Sequence, residues 1–110
     1  MPTSPNSFKK QPNEQYNIEV DFSKELNKVS AVISSKEVIA TLNGTDVTDA
    51  VIEGSNISST EMSVIIGVKG GLTGNTYKIT VRVTSNEDLD SSLSEKCVYE
   101  ADILMIVFEI

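Results

Sequence analysis

"VKGGLTGNTYKITVRVTSN", running from Val68 to Asn86, decides the fold class. Its second half alternates without a slip. Tyr77, Ile79, Val81 and Val83 point one way, and Lys78, Thr80, Arg82 and Thr84 point the other. A period of two is the mark of a strand with one buried face. Its first half sets Gly70, Gly71 and Gly74 directly before that strand. Such a cluster can cradle a phosphate or turn a corner. A phosphate loop needs G-x-x-x-x-G-K-[ST], but Asn75 and Thr76 stand here where the second glycine and the lysine belong. A dinucleotide fingerprint opens a helix, whereas these glycines lead into a strand. The glycines therefore read as a corner, where the missing Cβ admits positive φ. Tyr77 can bury its ring there and return its hydroxyl to a backbone group of the preceding loop.

The rest of the chain carries the same strand signature. Tyr16, Ile18, Val20 and Phe22 share one face of "YNIEVDF". "SKELNKV" offers at most one helical turn. "SAVISSKEVIATL" (Ser30–Leu42) reads as one long strand with a bulge near Ser34–Lys36, where the alternation slips. Asn43-Gly44 is a hairpin turn signal, because both residues tolerate positive φ. "DVTDAVIEGSNISST" predicts short strands broken at Gly54. "EMSVIIGV" (Glu61–Val68) predicts another strand, and "EKCVYEADILMIVFEI" predicts a long strand or two joined by a bulge. About seven strands at roughly ten-residue intervals, with turns between them, make an all-β antiparallel sandwich. Its core is expected to hold Ile18, Val20, Phe22, Ile65, Tyr77, Ile79, Val81 and Val83. Residues 1–15 are polar and aperiodic, and are expected to form a flexible arm before a single domain over residues 16–110. Phe8 is the one large apolar side chain in the arm able to dock.

Composition narrows the function. The chain of 110 residues is 39% hydrophobic and 23% charged, which is ordinary globular material. Nine Lys and Arg against sixteen Asp and Glu give a net charge of −7, which repels phosphate backbones and argues against nucleic-acid binding. The longest apolar run, Ile103–Phe108, is too short to span a bilayer, so no membrane partner is expected. The start of the chain lacks the apolar core of a secretory signal, which predicts synthesis for the cytoplasm.

Catalytic chemistry is missing too. The chain has no histidine, which removes the commonest general base and metal ligand. The single Cys97 lies in an apolar strand and reads as a buried thiol. Asn86, Asp88 and Asp90 occupy the first ligand positions of a calcium loop, but Ser91 stands where glycine belongs and Cys97 where glutamate belongs. The pair Asp46 and Asp49 has nothing around it to raise a carboxylate pKa. No catalytic residue, cofactor or metal is expected.

The stretch from Leu72 to Val81 resembles the "L-x-P-G-T-x-Y-x-V-x-V" corner of fibronectin type III domains, with Thr73 in place of the proline. The resemblance implies an Ig-like or fibronectin III-like sandwich whose structural corner is Gly70, Gly71, Gly74 and Tyr77. The chain as a whole resembles small structural proteins of tailed bacteriophages and prophages. The likeness rests on "YNIEVDFSKEL" (Tyr16–Leu26), "NGTDVTDAV" (Asn43–Val51) and Val68–Ser85, and covers roughly residues 12–90. It implies a non-enzymatic virion protein of the tail or head–tail region, or a decoration module, acting by contact with its own copies or with other virion proteins. The alternative is an Ig-like adhesion module that binds protein or glycan at the bacterial surface.

The last strand is apolar on both faces. Ile103, Met105 and Val107 alternate with Leu104, Ile106, Phe108 and Ile110. Only one set can fill the core. Ile103, Met105 and Val107 are expected to form the assembly surface, unless the N-terminal arm folds back through Phe8 to cover it.

Overall fold

In the computed structural model, which describes residues 7–88 and 95–109, eight strands form two sheets. In chain order they are β1 (Ser7–Lys10), β2 (Tyr16–Asp21), β3 (Ile33–Leu42), β4 (Thr45–Asp46), β5 (Ile52–Ile57), β6 (Ser63–Val68), β7 (Thr76–Asp88) and β8 (Lys96–Val107). One sheet runs β1-β8-β7-β3-β4 and the other β2-β6-β5, and they pack as a sandwich. Two single-turn helices, α1 (Ser23–Asn27) and α2 (Thr48–Val51), sit in the connections.

Local chemistry explains most of these elements. Asp21 Oδ1 accepts the Ser23 N–H at 2.8 Å and satisfies the start of α1. The helix ends with Ser30 at φ 54° and the Ala31 N–H bonded to the Leu26 carbonyl at 3.0 Å. Asn43 and Gly44, at φ 52° and 85°, join β3 to β4 in the two-residue hairpin that their pairing signals. The β3–β7 register shifts between Ile33 and Ser35, so the bulge falls where the alternation slips.

Both sheets contribute to one core. Val20, Val64, Ile66 and Val68 enter from the smaller sheet. Ile33, Ala40, Tyr77, Ile79, Val81 and Val83 enter from the larger one. Phe22, Leu26, Ala31 and Val51 close it from the connections.

Several expectations need correction. Ile65 faces outward and is only partly buried, because β6 turns Val64, Ile66 and Val68 inward. Ile18 is likewise half-buried at the rim. Gly54 does not break the chain. It lies inside β5 at a register shift between Ile52 and Gly54, after the turn α2. Cys97 is half-buried rather than a core thiol, at the start of β8, where the inward-facing residues are less buried than Ile103, Met105 and Val107 further along.

The arm is the largest difference. Ser7–Lys10, expected to be flexible, is a strand that pairs with Leu104–Val107, and it does so in parallel within an otherwise antiparallel sandwich. Phe8 lies opposite Met105, half-buried against the core, and its ring meets that of Tyr16 edge-on at 6.2 Å. The Tyr16 hydroxyl donates to the Lys9 carbonyl at 3.1 Å. The arm therefore covers the outer edge of β8 along Leu104–Val107.

Candidate assembly surface

Gly70, Gly71 and Gly74 have φ of 58°, 92° and 88°, the left-handed region that side chains strain to adopt. A Cβ on Gly70 would sit 2.9 Å from the Ala50 carbonyl oxygen, and one on Gly71 would sit 2.8 Å from Val107 Cγ2. The turn thus needs glycine at both positions for angle and for space. Tyr77 is 4% exposed, and its hydroxyl accepts the Leu72 N–H at 3.0 Å and lies 3.4 Å from Asn75 Nδ2. The turn is also tied by the Gly74 N–H to the Val107 carbonyl at 2.9 Å and the Asn75 N–H to the Leu72 carbonyl at 3.2 Å.

Lys10 ties the arm to this corner. It is fully buried, and its ammonium donates to the carbonyls of Gly70 at 2.6 Å, Gln11 at 2.8 Å and Pro12 at 3.3 Å. Three donors meet three acceptors, which is how a buried charge is made tolerable. Burial pushes its pKa down, against the opposing pull of Glu14 and Tyr77. Nothing in the sequence marks this lysine, since lysines are seldom buried.

Ile103, Met105 and Val107 were expected at the surface, but they are 1%, 0% and 1% exposed. The cause is register. Tyr77 lies opposite Met105 and Ile79 opposite Ile103, and cross-strand partners share a face. The outward set is Val98, Glu100, Asp102, Leu104, Ile106 and Phe108, of which Val98 is 52% and Leu104 42% exposed. The middle of the larger sheet's outer face is charged. Arg82 bridges Glu37 on β3 and Glu100 on β8, both at 2.8 Å, and Lys78 reaches Asp102 at 3.6 Å. These pairs are exposed and fix side-chain positions more than they stabilise the fold.

Among the described residues, the edge of β8 is only partly covered. Val107 donates its N–H to Asn75, beside β7, whereas Phe108 donates to Lys10, beside β1. Successive residues of a strand turn their backbone groups to opposite sides. Val98, Glu100 and Asp102 share the parity of Phe108 and so aim N–H and C=O at the edge. β1 reaches only as far as Leu104, and among the described residues no strand pairs with β8 along that edge from Val98 to Ile103.

Among the described residues, no group of three or more His, Cys, Asp or Glu could hold a metal ion. Asn86 lies within β7, and its Oδ1 accepts the Val32 N–H at 3.1 Å. Asp88 ends that strand, and Asp90 lies outside the described residues. Asp46 accepts both the N–H and the hydroxyl of Thr48, at 2.9 and 2.7 Å, which lowers its pKa, the opposite of what a general acid requires. Two open hollows of about 410 and 390 Å³ overlap on the outer face of the smaller sheet, over Asn17, Glu53 and Gly67. No helix of the described residues is long and apolar enough to cross a membrane.

A family model described as podophage GP4 fiber-tail adaptor protein gp77 matches residues 10–94, from the buried Lys10 through β7. No curated protein matches the chain. With most of its length matched and a two-sheet β-sandwich beneath the match, the chain belongs to the podophage fiber-tail adaptor family and is a structural protein of a phage tail.

Proposed function

We propose that this protein is a connector that joins fiber to tail by surface contact and performs no chemistry. The observation that carries the reading is the family match over residues 10–94. The absence of histidine from the chain fits a protein that works by binding. In this reading the module is Ig-like. The order β2-β6-β5 corresponds to strands B, E and D of that fold, and β8-β7-β3 to G, F and C. The bond from Leu72 N–H to the Tyr77 hydroxyl is then the tyrosine corner at the start of strand F. The protein assembles with other virion proteins, and with its own copies, through the β8 side rather than through the buried face of that strand.

The test is a phage carrying a stop codon in this gene, grown with and without the protein supplied in trans. Purified particles are counted for fibers by electron microscopy. Tailed particles without fibers, restored by complementation, are expected. A full complement of fibers would overturn the connector reading. Fibered particles that fail only to attach to host cells would point to adhesion instead.

A further inference from the structure

We infer that the edge of β8 left uncovered among the described residues binds the same edge of a second copy, joining two larger sheets into one continuous antiparallel sheet. This rests on the connector reading for its biological setting, but the geometry is that of the chain alone. An edge strand with unpaired backbone groups is a template for another strand. Here the template spans Val98–Ile103, and Val98, Glu100 and Asp102 offer the outward groups.

The side chains choose the partner and the register. Two copies of one strand related by a two-fold axis normal to the sheet must pair residues of equal parity. One such register centres on Glu100. It sets Glu100 against itself and Lys96 against Leu104, which β1 already occupies. Like charges directly opposed are destabilising, so this register is disfavoured on both counts. The neighbouring register centres on Tyr99. It pairs Lys96 with Asp102 of the second copy and Val98 with Glu100 of the second copy, and it stops short of β1. Edge-facing residues then oppose edge-facing residues, so Val98 and Glu100 exchange backbone bonds across the axis. The two Tyr99 rings meet at the axis on the inner face. There Cys97, Tyr99 and Ala101 are only half-buried in one copy, while Ile103, Met105 and Val107 further along are fully buried. Pairing would cover that under-packed end.

Sedimentation of the purified protein at increasing concentration, at low and moderate salt, tests the inference. A reversible dimer is expected. Asp102→Lys places lysine against Lys96 twice in the dimer and is expected to weaken association on the order of tenfold. The double variant Lys96→Asp/Asp102→Lys restores the opposite signs and is expected to regain it. Glu100→Pro removes an edge N–H and the exposed ion pair with Arg82 but leaves the backbone ladder to β7 intact, and is expected to stay folded by circular dichroism and monomeric. A wild type that remains monomeric at high concentration overturns the inference. So does a wild type that dimerises only after removal of residues 1–6, which would mean that the chain covers its own edge. So does a dimer indifferent to Glu100→Pro. Fiber counts on virions carrying Glu100→Pro keep the two readings apart. If the stop-codon particles lose fibers while a monomeric wild type still builds them, the edge pairing fails and the connector stands.

Discussion

Replacing Gly71 by alanine is expected to cost about 2–5 kcal/mol, and the figure comes from two separate terms. Alanine at φ 92° is strained by roughly 1–2 kcal/mol. The added methyl would lie 2.8 Å from Val107 Cγ2 and 3.3 Å from Tyr77 Cε2. Val107 is 1% exposed and β-branched, so it cannot swing aside, and such overpacking costs about 1–3 kcal/mol. At about 2.1 cal/mol/K of unfolding entropy per residue, a loss of ~3 kcal/mol lowers Tm by roughly 13 °C in a chain of 110 residues. Urea and thermal unfolding read the loss. A double variant separates the terms. Val107→Ala alone is expected to cost about 2 kcal/mol by leaving a cavity. Gly71→Ala/Val107→Ala is expected to fall short of the summed losses by about 1–2 kcal/mol, because the methyl then has room. Gly67→Ala is the control. Gly67 has no positive φ, and a Cβ there would meet nothing closer than 3.6 Å, so its effect is expected to be neutral or slightly stabilising. A Gly71→Ala variant that melts within a few degrees of the wild type would refute the reasoning.

Tyr77→Phe leaves the Leu72 N–H without its acceptor and is expected to cost about 1–2 kcal/mol in urea unfolding, whereas Tyr77→Ala costs about 3–5 kcal/mol. Lys10→Met removes the donor to three carbonyls and is expected to speed amide exchange along Ser7–Lys10 and Leu104–Val107, while β7 and β3 keep their protection. Asp46 has a folded pKa below its ordinary 3.8, so its contribution is complete above that value and is lost as pH falls through the folded pKa. The stability gap between wild type and Asp46→Asn is therefore expected to close on acidification below pH 3.8, as tracked by denaturant titrations at stepped pH.

What could be read in the sequence is what local chemistry decides. The alternation from Tyr77 to Val83 needs only neighbours along the chain, and so do the Asn43-Gly44 hairpin and the slip near Ser34. The positive φ of Gly70, Gly71 and Gly74 is legible for the same reason. β6 is not, because "SVIIGV" is apolar on both faces and its parity is set by β2 and β5. β8 misled in the same way, since its inward face is set by pairing with β7, and the apolar count on each side does not determine it. α2 escaped notice because a four-residue turn has no period to detect. The arm was illegible on grounds of distance. Ser7–Lys10 becomes a strand only because Leu104–Val107 lies beside it and because the Gly70 carbonyl receives Lys10.

That parallel pair also bears on how the protein is made. A ribosome releases β1 long before β8, so β1 must wait for all seven strands that follow it before its ladder can form. Contacts of such high sequence separation close late in folding, after the entropy of a long loop has been overcome. A product truncated ahead of Leu104 would present Phe8 and Lys10 with no strand to receive them. The buried ammonium would then have lost the ordered setting that makes its burial tolerable. The β1–β8 clasp is thus among the last ladders of the sandwich to close. A copy lacking Leu104–Val107 would leave Ser7–Lys10 unlatched and open to proteolysis.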